Sequence, residues 1–342
     1  MYLAVLAMLA GRGAPATSQT PHRQPPVEVF ATLGLTTTDV AAIDAGRPVA
    51  KVLSWGTPSE VYVFGAVHVD APLDVYIKTI RDVARLSDAP GYLGVGELHD
   101  GSALADLAAV VLNADDVKAL KACREGSCDL QLPVAAIETF RDQIDWARGD
   151  VDAQVNRLAR SMLLQLLDAY RHGGNRALGE YRDTTHPTRI ADEFETMLQR
   201  ASVLPDVLPD LRQYLLDYPN APLPGADSYF YWEKVYFGLK TTIRLNHAVI
   251  YRGRMQGQDF ATVAIKQLYA THYFHTALDV SACVADGAAG RPGFYLLTLK
   301  GSQQDGLTGV RGSLLRKVVV DKTRASLERA LGAIKRTIER SA

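Results

Sequence analysis

The sequence predicts an α+β protein with an antiparallel sheet and a long closing helix. Three patterns predict it. Stretches near residues 59–70 and 91–99 alternate side chains with the period of two that strands require. The segment that follows, to about Tyr218, carries its apolar residues at helical spacing instead. Beyond the Pro/Gly-rich break Pro219–Gly225, strand patterns succeed one another across short turns until a final helical stripe, Leu327, Leu331, Ile334 and Ile338.

In chain order, residues 2–10 (YLAVLAMLA) are apolar but too short to cross a bilayer as a helix. Ala14-Pro15-Ala16 has the A-x-A form of a signal-peptidase site, although no Lys or Arg precedes the apolar run. Residues 1–16 therefore read as a signal peptide, and export to the periplasm or outside is expected. Residues 17–48 read as a linker and N-terminal extension, opening on the polar, Pro-rich TSQTPHRQPP. In Ser59–Asp70, Val61, Val63 and Val67 face one way and Tyr62, Phe64, Ala66 and His68 the other. Pro72 suits the first turn of the helix that follows, and Gly91–His99 reads as the second strand. Helices are expected at Ala103–Leu112, after Asn113 as cap, at Pro133–Trp146, from Asp152 to Gly173-Gly174, and at Pro187–Arg200 and Asp206–Asp217. Strands are expected at Ser228–Phe237, Lys240–Arg252, Asp259–Phe274, Thr276–Asp286 and Gly293–Gly301, with the last helix starting as early as Ser313.

The 37 Lys and Arg against 38 Asp and Glu leave a net charge of -1, which argues against a nucleic-acid binder. A hydrophobic fraction of 47% excludes a disordered chain. In an oxidising compartment Cys123 and Cys128, in CREGSC, are expected to form a small disulfide loop. So short a loop would contribute less than about 3 kcal/mol. Cys283 lies in an apolar strand pattern and reads as core.

Leaving out the helical segment, the order is strand, helix, strand, five strands and a long helix. VYVFGAVHVDAP with its following helix, then SYFYWEKVYFG, IRLNHAVIYR, IKQLYATHYF and GFYLLTLKGS, resemble the strand series of the START and polyketide-cyclase-like (SRPBCC, helix-grip) superfamily. That resemblance implies a curved antiparallel sheet gripping the C-terminal helix around a pocket for an apolar small molecule or lipid. On this reading residues 49–101 and 226–342 form the helix-grip-like domain. Residues 102–225 form an all-helical insertion or lid, a departure from the superfamily.

Alternation independently places Ile243, Leu245, His247, Val249 and Tyr251 on one face. It places Arg244, Asn246 and Arg252 on the other. In the next strand Val263, Ile265, Gln267, Tyr269, Thr271, Tyr273 and His275 would share a face. An inward apolar surface with isolated polar groups is the usual form of a small-molecule site. The expected ligand-binding residues are His247, Gln267, Tyr269, Tyr273, Tyr231 and Trp232, although core packing is the plainer reading of the aromatics around Tyr231 and Trp232.

Catalytic candidates are thin. G-x-S-x-G, the P-loop and GxGxxG are absent. His247, His275 and the same-face pair Glu97 and His99 are the acid/base candidates, each matched by a plain structural reading. His272 and His275 would lie on opposite faces of a strand, so no metal site is expected there, and no cofactor anywhere. The final helix carries Arg324, Arg329, Lys335 and Arg336 with Glu328 and Glu339 interspersed, a face that allows peripheral membrane contact. The leading expectation is an exported carrier of a hydrophobic small molecule or lipid. The alternatives are an enzyme using the same pocket with histidine chemistry, and a periplasmic interaction protein whose pocket is plugged.

Overall fold

The computed structural model describes residues 27–200, 208–238, 240–255, 258–286, 292–304, 306–307 and 309–342. The expected signal peptide lies outside the described residues. The protein is α+β, with one curved antiparallel sheet of eight strands in the order β1-β2-β10-β9-β8-β7-β6-β3. The strands are β1 (Val49–Leu53), β2 (Glu60–Val69), β3 (Tyr92–Leu98), β6 (Asp227–Tyr236), β7 (Thr241–Met255), β8 (Gln258–Ala270), β9 (Phe274–Ala285) and β10 (Phe294–Gln304). A two-stranded ribbon, β4 (Glu180–Tyr181) with β5 (Thr188–Arg189), stands apart. Strand β2 closes the sheet by pairing with β10, Val63 opposite Lys300.

Helices cover both faces. On one lie α3 (Leu73–Arg81) and the C-terminal α9 (Gly309–Ser341). Tyr76, Ile77, Leu327, Leu331 and Ile338 there pack against Val61, Val63, Tyr231, Ile250, Val263 and Leu296. Gly65 marks the closest approach: a Cβ there would sit 2.8 Å from Leu331 Cδ1 and 2.9 Å from Leu327 Cδ2. Helix α9 runs along β2. Its Arg316 donates to the carbonyls of Pro58 and Glu60, and Lys335 to that of His68. Yet Lys322 Nζ lies 3.6 Å from the Cβ position of Gly238, just past β6. Strands β2 and β6 are five places apart, about 24 Å in a flat sheet. The sheet therefore curls round toward α9.

On the opposite face, α1 (Val27–Thr32), α2 (Thr37–Asp44), α7 (Ile190–Arg200) and α8 (Pro209–Asp217) cover β2, β9 and β10 through Phe30, Ile43, Phe194, Met197 and Leu211. Helices α4 (Ala114–Ala122), α5 (Val134–Gln143) and α6 (Val151–Gly173) cover β3, β6 and β7 through Leu120, Phe140 and Leu167. The helical segment thus backs the sheet and does not stand over the α9 side as a lid.

Local chemistry accounts for most boundaries. Asn113 caps α4, its Oδ1 accepting from Asp116 N at 2.9 Å. Thr36 and Asp39 form a reciprocal box at the start of α2. Three expectations need correction. Residues 27–44, expected as linker, hold two helices whose Phe30, Leu33 and Ile43 are core. The helix expected at Ala103–Leu112 shrinks to a 3-10 turn, Leu104–Leu107. Asp106 turns back to accept from Ala103 N, and Asn156 of α6 captures Leu112 N. The strand expected to run to Phe274 ends at Ala270, and a turn at residues 271–273 holds Tyr273 at φ 68.

Candidate functional site

The α9 face of the sheet turns polar toward its β6–β7 end. Strand β7 contributes Arg244 and Asn246, flanked by Tyr231 and Glu233 of β6 and by Gln267 of β8. Arg244 Nη1 donates to Glu233 Oε1 at 2.7 Å and its Nε to Gln267 Oε1 at 3.0 Å. Gln267 Nε2 donates to the Phe274 carbonyl at 2.8 Å. Burial alone would pull the Arg244 guanidinium down, but Glu233, Asp279 and the neighbouring tyrosines hold it above its ordinary value. The Tyr231 hydroxyl is pushed up by burial and then by Glu233, so it stays protonated. Further across, Lys300 pairs with Asp279, and Ser281 Oγ lies 2.9 Å from Thr298 Oγ1.

These positions belong to the middle strands of a sheet roofed by α3 and α9, and a filled interface would exclude water from them. Ile265 and Ser281 are nonetheless half-buried, and the side chains of Asp279 and Lys300 are 22% and 37% exposed. Solvent therefore reaches this part of the sheet's α9 side. Nearby, Phe237 just past β6 and Leu314, Leu315 and Val318 on α9 are exposed apolar side chains. Val318 lies one helical turn before Lys322, the residue that approaches Gly238.

The expected site residues divide between two faces. Tyr231 and Gln267 face α9. His247 faces the helical layer, where it is fully buried. Its Nδ1 lies 3.1 Å from Tyr170 Oη and its Nε2 2.7 Å from Ser228 Oγ, while Phe230 and Tyr218 pack on its ring with centroids 4.6 Å away. Burial, then the nearby Lys266, pulls the imidazole down to about 3, so it is neutral. Trp232 also points away from α9; Gly96 makes room for its ring, and its Nε1 donates to the Asp106 carbonyl at 3.2 Å.

Tyr269 does not share a face with Gln267. The β7–β8 register shifts between Leu245 and Asn246, placing Gln267 opposite Asn246 but Tyr269 opposite Leu245. The extra residue, Leu268, reverses the alternation. Tyr269 packs on Tyr181 in the helical layer. Tyr273 sits in the β8–β9 turn, its hydroxyl accepting from Lys240 N at 2.6 Å. His275 packs edge-on to Tyr181, and His272 bridges Asp116 and the Asp129 carbonyl at 2.9 and 3.0 Å. Glu97 is gripped by both Arg81 nitrogens at 2.9 and 2.8 Å, leaving His99, 73% exposed, 3.8 Å away. Arg81 therefore neutralises Glu97 and keeps it from His99.

Cys123 and Cys128 are disulfide-linked just after α4, and Cys283 is a buried free thiol. Sequence reasoning assigned Arg244 and Asn246 to the outer face and passed over Glu233, Asp279 and Lys300. Their signal was present: polar residues embedded in strands whose neighbours are apolar on both faces.

No protein-family model matches the chain, and no curated protein matches it. No helix among the described residues is long and apolar enough to cross a membrane.

Proposed function

We propose that the protein binds a hydrophobic small molecule or lipid in a groove between the sheet and α9. The observation that carries this reading is the water-reached position of Ile265, Ser281, Asp279 and Lys300 beneath a helical roof. A groove with apolar ends and a few fixed polar groups matches the general form of ligand sites. The curl of the sheet toward α9 supports a helix-grip-like body, with the helices between β3 and β6 as an insertion that braces its back. The Cys123–Cys128 bond supports a working location outside the cytosol. Of the residues expected at the ligand, Gln267 and Tyr231 remain; His247, Trp232 and Tyr269 serve the opposite layer.

Nile red tests the reading as an apolar fluorescent probe. The wild-type protein binds it saturably, and Ile265→Trp, which fills the groove floor, weakens binding at least about tenfold with unchanged circular dichroism. Equal binding by both proteins, or none by the wild type, removes the groove as the site. Mass spectrometry of an organic extract of the purified protein then identifies any resident molecule.

A further inference from the structure

Over its first turns α9 is anchored on one side and open on the other. Val319, Val320, Leu327 and Leu331 pack toward the sheet, and Arg316 is tied to the Pro58 and Glu60 carbonyls. Leu314, Leu315 and Val318 are exposed instead, Leu314 by 71%. Lys322 follows Val318 by one turn on the same stripe, and its Nζ approaches Gly238. Tyr236 and Phe237 stand at that point, both exposed, with the Tyr236 hydroxyl donating to the Gly238 carbonyl at 3.0 Å. Phe237 is braced by the Tyr273 and Phe274 rings, at centroid distances of 6.4 and 5.1 Å. Tyr273 holds that place with φ 68, a left-handed backbone rare for a bulky residue. Exposed apolar side chains are ordinary when scattered singly. Joined across a helix and the end of a strand, they mark a contact surface.

The charges beside this surface select its occupant. Lys317 and Lys322 are exposed, Arg316 lies between them and the sheet edge, and Asp321 is the only acid among residues 313–322. Further along α9 the basic residues are largely cancelled within the helix, Arg324 by Glu328 and Lys335 by Glu339. The chain as a whole carries a net charge of -1, so the positive character is local to these turns. A second copy pairing symmetrically across this face would set the lysines against their own counterparts. Anionic phospholipid headgroups would attract them, and the apolar side chains would find the acyl boundary beneath. Tyr236, with a polar tip on an apolar ring, suits the level between the two.

We propose that this surface docks on an anionic lipid bilayer, with Leu314, Leu315, Val318 and Phe237 entering the headgroup boundary and Lys317 and Lys322 meeting the phosphates. The inference goes beyond ligand binding by the sheet and does not depend on it.

Co-sedimentation tests it, with vesicles of pure phosphatidylcholine and of phosphatidylcholine carrying about one third phosphatidylglycerol. The wild-type protein is expected to bind the anionic vesicles at least about tenfold more tightly than the neutral ones, and to release in high salt. Lys317→Glu with Lys322→Glu should remove that preference. Leu314→Ser with Leu315→Ser, which leaves the charge unchanged, should weaken binding at least about tenfold. All four side chains are exposed, so circular dichroism should stay as it is. Arg329→Glu with Arg336→Glu makes the same change of charge on the far half of α9 and should leave binding intact. Equal losses in the two charge variants would make the attraction general, and the docking surface would fall. No binding to either vesicle overturns the proposal. So does a concentration-dependent dimer in sedimentation velocity that Leu314→Ser with Leu315→Ser abolishes. Nile red binding, measured without vesicles, reads the ligand site separately.

Discussion

His247 shows how a single residue can tie stability to pH. Its imidazole is neutral in the folded protein because burial and Lys266 hold it down to about 3, whereas the unfolded side chain titrates at its ordinary value. Below about pH 6.5 the unfolded chain binds the proton that the folded one refuses, so stability is full above that value and falls as pH drops toward 3. The loss amounts to a few kcal/mol, on the order of magnitude that such shifts carry. Urea unfolding near pH 7.5 and near pH 4.5 measures it; His247→Phe should shrink the difference, and an unchanged difference would assign it elsewhere. Lys266 acts in the same direction, its contribution declining as pH falls below the ordinary lysine value of 10.5. It is fully buried, with its amine lowered by desolvation, hydrogen-bonded to Asn175 and to the Leu215 carbonyl near the end of α8, and 3.9 Å from the Phe194 ring centroid. The apolar face that holds His247 was legible from alternation alone. Which layer that face meets was not, because both faces of this sheet are covered and a period of two cannot say by what.

Among the elements, α9 is held most closely at Gly65, where the missing side chain admits Leu327 and Leu331. Gly65→Val should lift the helix from β2 and cost about 1–3 kcal/mol, read as a lower denaturant midpoint with an unchanged slope. Gly65→Ala should cost less, and two wild-type midpoints would show that the helix has slack. The loop closed by Cys123 and Cys128 is a smaller contributor: Cys128→Ser should lose less than about 3 kcal/mol. Elements were legible where cap and stripe agreed, as at Asn113 and along Leu327–Ile338. They failed where a side chain from a distant element decided the backbone, as Asn156 does for Leu112. The Leu268 bulge failed for the same reason, since strand register depends on the partner and leaves no mark in the strand's own sequence.

In the whole molecule the sheet lies between two helical layers of unequal closeness. The layer on the back seals it around large apolar side chains, while on the front the part of the sheet beside α9 is reached by solvent, and ligand binding is proposed there. The antiparallel series after Pro219–Gly225 was readable because each strand pairs with its sequence neighbour. The pairing of β2 with β10 was not, for nothing local links them. That pairing sets the order in which the protein can be made. The first hairpin waits, its hydrogen-bonding edge bare, while nearly all the remaining chain is synthesised. Strand β10 must then arrive from the far end of the sequence before β1 and β2 are secured. An early-emerging edge with so late a mate stays open to wrong pairings until β10 arrives.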